Sequence, residues 1–196
     1  FRKKKRLTGQ NLELLEELIQ DEVTKYLEVM EINNIDTDSI KLKKYFCNNL
    51  KEAEKAAADF RNYIKISNKQ PLSDLINILE NLGIIIIQIK NSNNRFDDFD
   101  GLSEIVNNIP IIVLLDGIKD GARQRFTIAH ELGHIILGHM IIDKVKYCTY
   151  NNRNLQEQEA DMFAICLLAP ACILHEIKAL TPKQIKNICN ISITAA

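Results

Sequence analysis

Apolar positions in the first part of the chain recur at helical spacing. Between residues 10 and 32, Leu12, Leu15, Ile19, Val23 and Leu27 fall close to one stripe, opposite a glutamate-rich face, which predicts an amphipathic helix. The polar stretch from Asn33 to Ser39 reads as a loop. A second helix is predicted over 50–64, where Ala53, Ala56, Ala57, Phe60 and Ile64 share one side. Pro71 suits the opening of a third, because its missing N–H costs nothing in a first turn. Leu72, Leu75, Ile78, Leu79 and Leu82 would form its stripe, and Gly83 would end it. The period then changes. The β-branched run Ile84 to Ile87 predicts a buried strand reaching Ile89. Asn91 to Asp98 is a polar loop, Phe99 to Ile105 a short strand containing Asp100-Gly101, and Pro110 to Leu115 a further strand. Their close spacing suggests antiparallel pairing. After a turn region, Asp116 to Gly121, helices are predicted at 122–140, 154–168, 171–179 and 182–190. Helices, a small sheet and helices again predict an α+β fold: mostly helical, with a three-stranded antiparallel sheet beside the helix at 122–140.

Composition narrows the function classes. A chain of 196 residues, 46% of them hydrophobic, is enough for one globular domain, or one domain with a helical arm. The division expected is an N-terminal helical arm and linker over 1–66 and the main domain over 67–196. No apolar run approaches the roughly 18–20 residues a membrane span needs, and the basic start is not followed by a signal-peptide core. A net charge of −1 argues against the whole chain acting as an electrostatic nucleic-acid binder. The run Arg2 to Arg6 reads more readily as a solvated linker than as a phosphate-binding patch. Five scattered cysteines, Cys47, Cys148, Cys166, Cys172 and Cys189, with no CxxC pair, suggest reduced thiols in a cytoplasmic protein and argue against a cysteine zinc site.

The chemistry concentrates in His130-Glu-Leu-Gly-His134. On a helix, positions i and i+4 share a face, so both imidazoles can reach one Zn²⁺. Glu131 is rotated by roughly 100° from His130, beside the metal but not bound to it. That is where a general base acting on a metal-bound water belongs. Gly133 is costly in mid-helix, which implies close packing of another backbone. By itself the motif is only suggestive, since two histidines on the surface of an amphipathic helix would read the same way.

A third histidine ligand six residues after His134 would stand at 140, which is Met140. His139, nine residues from His130, should point to the opposite side of the same helix and serve in packing or at the surface. Glu157 and Asp161 are better placed: they are i and i+4 on a predicted helix, sharing a face with Ala160, Ala164 and Leu168. Carboxylates beside a core need a reason, because unpaired buried charge is expensive. A metal supplies one, with Glu157 as ligand and Asp161 accepting a hydrogen bond from the far nitrogen of a ligating histidine. Glu159 is the competing ligand. It lies roughly 200° from Glu157, toward the expected solvent side, and helix phase alone favours Glu157.

The stretch Arg123-Gln-Arg-Phe-Thr-Ile-Ala-His-Glu-Leu-Gly-His, followed by Glu157-x-Glu-Ala-Asp-x-Phe-Ala-x-x-Leu-Leu-Ala-Pro170, resembles the ImmA/IrrE family of zinc metallopeptidases. The resemblance covers roughly residues 70–196. Ala169 stands where family members usually have Met, and Asp161 where they often have Asn. The resemblance implies a gluzincin-like site with Glu157 matching the carboxylate ligand. It also implies a protein substrate, a helix-turn-helix repressor whose cleavage releases stress, mobile-element or prophage genes. Phe1-Arg-Lys resembles the junction that follows a helix-turn-helix domain in many members, so a DNA-binding domain is expected ahead of residue 1. Ile191 to Ala196 reads as the interior of a continuing helix.

The resulting expectation is a zinc endopeptidase with metal ligands His130, His134 and Glu157, general base Glu131 and supporting Asp161. Mn²⁺ or Fe²⁺ would suit the same ligands. His175, Tyr147 and Tyr150 are the candidates for an oxyanion donor. The rival expectations are a non-catalytic, antitoxin-like module that keeps zinc for structure and binds through residues 10–64, and the sensor part of a DNA-binding repressor. An intact Glu131 argues against a purely structural metal site.

Overall fold

A computed structural model describes residues 9–34, 42–45, 47, 49–91, 95–96, 99–115, 121–139, 155–170, 183–184 and 189. In chain order the elements are α1 (Gly9–Ile32), α2 (Leu50–Tyr63), α3 (Leu75–Asn81), β1 (Ile85–Ile89), β2 (Gly101–Val106), β3 (Ile109–Leu115), α4 (Gly121–Ile136) and α5 (Leu155–Leu168). The α+β class holds. The helices expected at 171–179 and 182–190 lie outside the described residues, apart from Lys183, Gln184 and Cys189.

Two boundaries differ from the sequence pattern for identifiable reasons. Pro71 does not open α3, which starts at Leu75 after Asp74. The carbonyls of Leu72 and Ser73 instead accept hydrogen bonds from the Arg125 guanidinium, which ties this segment to α4. Helix α4 does not run to 140. It ends at Ile136, and Gly138, with φ of 73°, turns the chain through the left-handed region that glycine tolerates best.

The sheet is mixed rather than antiparallel throughout. Its order is β1-β3-β2, with β1 parallel to β3 and β2 antiparallel to β3. Asn107 and Asn108 both have positive φ, and this two-residue turn makes β2 and β3 a hairpin. The chain therefore enters β2 at the edge opposite β1, and β1 and β3 run in the same direction. The fully apolar β3 suits the centre, being buried at every position.

Alternation along β3 divides the core in two. Ile109, Ile111, Val113 and Leu115 face Leu15 and Ile19 of α1, with Phe96 and Phe99. Ile112 and Leu114 join α2, α3, α4 and α5 on the opposite side. There α5 is covered by both α4 and α2. Arg61 of α2, fully buried, donates to the carbonyls of Leu167, Ser67 and Gln70 and so ties α2 to the end of α5. Among the described residues no helix is long and apolar enough to cross a membrane. Cys47, Cys166 and Cys189 are free thiols, and burial pushes those of Cys47 and Cys166 up to about 11. Cys148 and Cys172 lie outside the described residues.

Candidate metal centre

Helix α4 holds the histidines in place because it is pinned in its first turns and buried along the rest of its length. Arg125 holds it to the segment before α3, and Arg123 pairs with Asp100 just ahead of β2. From Thr127 to Ile136 every residue is buried. Gly133 is where α5 crosses: a Cβ there would stand 3.2 Å from Ala160 Cα and 3.3 Å from Ala160 O. The close backbone approach inferred from the glycine is therefore present, and it brings the acidic start of α5 alongside the histidines.

His130 Nε2 and His134 Nε2 are 3.1 Å apart. Glu157 reaches both, with Oε2 3.4 Å from His130 Nε2 and Oε1 3.6 Å from His134 Nε2. One donor atom from each of the three residues lies within 4.8 Å of the other two. Ligands about 2.0–2.1 Å from a tetrahedral zinc sit roughly 3.3 Å from one another, so the donor set fits such an ion by spacing as well as by chemistry. His130 donates from Nδ1 to Asp161 Oδ1 at 2.9 Å, which leaves its Nε2 facing the cluster.

Electrostatics in the metal-free protein follow from these contacts. Burial acts to lower the His130 pKa, but hydrogen bonds to Asp161 and Glu157 and the nearby Glu131 charge outweigh it and bring it to about 10. Burial acts to raise Glu157, yet the two histidines override it and hold the carboxyl well below the usual range. A metal ion is the natural replacement for the proton this cluster holds.

Glu131 is 1% exposed. Ser103 Oγ donates to its Oε2 at 2.8 Å, while its Oε1 has no hydrogen-bond partner among the described residues. The edge strand β2 comes close because Gly101 lacks a side chain: a Cβ there would be 2.8 Å from Thr127 Cγ2 and 3.4 Å from Glu131 Cγ. Ser103, two residues further along β2, lies on the same face of the strand.

The pattern-based reading of α5 needs correction in two places. Glu159 does not face solvent. It is 1% exposed, and its Oε2 accepts from His139 Nε2 at 3.1 Å. Asp161, expected beside the core, has a side chain 54% exposed. A helix wedged between α4 and α2 has two buried sides, and its exposed positions, Leu155, Gln158 and Asp161, form a narrow stripe. His139 is likewise not at the surface. Being beyond the end of α4, it folds back to place its Nδ1 3.0 Å from His134 Nδ1. Ser103 goes unread in the sequence, and His139 and Glu159 are read there on the wrong side of their helices. The signals available for them were Gly101 two residues before a polar strand position and Gly138 just ahead of a histidine. Tyr147, Tyr150 and His175 lie outside the described residues.

Residues 79–191, more than half of the chain, match the family model described as Peptidase M78, IrrE N-terminal-like domain. The chain belongs to this family. The match agrees with the resemblance read from the motif, and every residue of the M78 centre described above falls inside it. No curated relative matches the chain. Membership carries a metallopeptidase-type function, and the convergence of His130, His134 and Glu157 is compatible with it.

Proposed function

We propose that this M78 protein is a zinc-dependent endopeptidase that cleaves a specific protein substrate, a helix-turn-helix repressor, and thereby switches on the genes it silences. The observation that carries the peptidase reading is a buried carboxylate with one free oxygen, Glu131, on the turn of helix that supplies two converging imidazoles. The repressor substrate is supported by the family alone.

His130, His134 and Glu157 would hold the ion, which supplies Lewis acidity to acidify a water and polarise the scissile carbonyl. Ser103 fixes one oxygen of Glu131, so Oε1 is the atom available to accept the water's proton and return it to the leaving amine. Asp161 accepts from His130 Nδ1–H, so Nε2 is the nitrogen that gives up its proton for ligation. Glu131→Gln should keep about one zinc per chain by mass spectrometry, yet lose at least roughly 100-fold in cleavage of a co-purified repressor, the scale of a general-base contribution. Cleavage at the wild-type rate would remove Glu131 from the chemistry. A folded wild type that takes up no zinc would overturn the metallopeptidase assignment itself.

A further inference from the structure

The second nitrogen of His134 leads away from the centre into a buried chain of side chains that the proposed chemistry does not use. His134 Nδ1 is 3.0 Å from His139 Nδ1, and His139 Nε2 is 3.1 Å from Glu159 Oε2. All three residues are at most 5% exposed. Two facing ring nitrogens can share only one proton, and an ionised carboxylate can only accept. These constraints leave one arrangement for neutral rings: Glu159 accepts from His139 Nε2–H, His139 Nδ1 is bare, and His134 must donate to it from Nδ1. His134 Nε2, the nitrogen facing His130 and Glu157, is then bare and ready to ligate.

We infer that Glu159 and His139 are positioning residues which lock His134 in its metal-binding tautomer through a carboxylate–histidine–histidine relay. Asp161 does this directly for His130, near solvent; the relay does it for His134, whose far nitrogen faces His139 Nδ1. A packing role does not account for Glu159. Its Oε1 has no partner among the described residues, and burying a half-bonded carboxylate costs stability that an apolar side chain would not. Glycine at 138 is part of the device, since the left-handed turn there returns His139 to the ring. The assignment rests on the metallopeptidase reading, because a tautomer lock matters only if His134 ligates.

The test combines two readouts on the full chain. Long-range ¹H–¹⁵N spectra of the metal-free wild type should show His134 bare at Nε2 and protonated at Nδ1, and His139 protonated at Nε2. Chelator competition with zinc alone should show His139→Leu binding roughly 10–100-fold more weakly, the usual effect of losing an outer hydrogen-bond partner. His139→Gln, whose amide oxygen can still accept from Nδ1, should recover most of that loss. A wild-type His134 protonated at Nε2 would overturn the relay. So would a His139→Leu variant with unchanged tautomer and zinc affinity, or one that His139→Gln matches in weakness. If His139→Leu does not fold, the wild-type spectrum and His139→Gln still decide. A wild type that shows the stated tautomers but binds no zinc sinks the peptidase reading and leaves the relay without its purpose, a result distinct from failure of the hydrogen-bond order.

Discussion

At the scale of single residues, the centre is a competition between protons and metal. In the metal-free protein the His130 pKa stands at about 10, above its value of about 6.5 in an unfolded chain. A raised pKa contributes stability that is complete below about pH 6.5 and disappears as pH climbs through about 10. Glu157 is shifted the other way, so its contribution is present above about pH 4.3 and is lost in acid. The metal-free protein should therefore be most stable near about pH 5–6.5, with its melting temperature falling toward pH 10. Asp161→Ala should flatten part of that alkaline fall. The reduction is partial because the Asp161 side chain is half exposed and its bond is screened by water. Zinc affinity should change in the opposite sense, rising with pH as His130 gives up its proton. Melting curves of both proteins in chelator between pH 5 and 10 check the first statement. An alkaline limb identical in the variant would dissociate Asp161 from the His130 shift.

At the scale of elements, α4 and α5 make the site by their crossing. Gly133 lets Ala160 approach so closely that an added Cβ would crowd its backbone at 3.2–3.3 Å, and Glu157 lies one turn before Ala160 on α5. Gly133→Val should push the helices apart against backbone atoms that cannot yield. Overpacking of this kind costs about 1–3 kcal/mol, which exceeds the gain of at most about 1 kcal/mol from removing glycine from a helix. The variant should melt lower and bind zinc more weakly, because Glu157 is carried away from both histidines. Unchanged melting and zinc binding would show that α5 can slide, and the close approach would then have no consequence. The element scale is also where the sequence pattern failed. A period of 3.6 assigns one buried face, whereas α5 has α4 on one side and α2 on another, so Glu159 is inside and Asp161 is not. The same arithmetic extended α4 through His139, past a glycine whose φ of 73° ends the helix.

At the scale of the molecule, the helical layer is tied together by a fully buried charge, Arg61 of α2. Its three carbonyl partners come from the end of α5 and from the nearby 67–70 turn, so one guanidinium fastens α2 and the turn after it to a helix about a hundred residues further along the chain. Arg61→Ala removes the guanidinium from all three carbonyls, of which Ser67 keeps the Gln70 N–H, and should cost about 3 kcal/mol or more. Arg61→Lys should recover little, since an ammonium cannot reproduce the planar fork. Denaturant midpoints of the two variants distinguish them, and a lysine variant as stable as wild type would show that charge alone suffices. Nothing in the sequence marked Arg61: it is one charged residue in a helix of mixed polarity, and its carbonyl partners exist only once α2, α5 and the turn are packed.

What the chain determined by itself is local. The period of its apolar residues placed all eight described elements to within a few residues, because helix and strand each impose a spacing on any buried face. The spacing of His130 and His134 placed two imidazoles on one side of a helix for the same reason, and Gly133 announced a close neighbour. Tertiary structure decided the rest. It placed β3 between β1 and β2 so that the sheet is mixed, since close spacing along the chain does not fix which strands become neighbours. It brought Glu157 to the histidines, Ser103 to Glu131 and Glu159 to His139. These pairs are 20 to 28 residues apart or on separate elements. Hydrogen bonds across such separations leave no periodic trace in a sequence, because they arise only where packing brings the two backbones together.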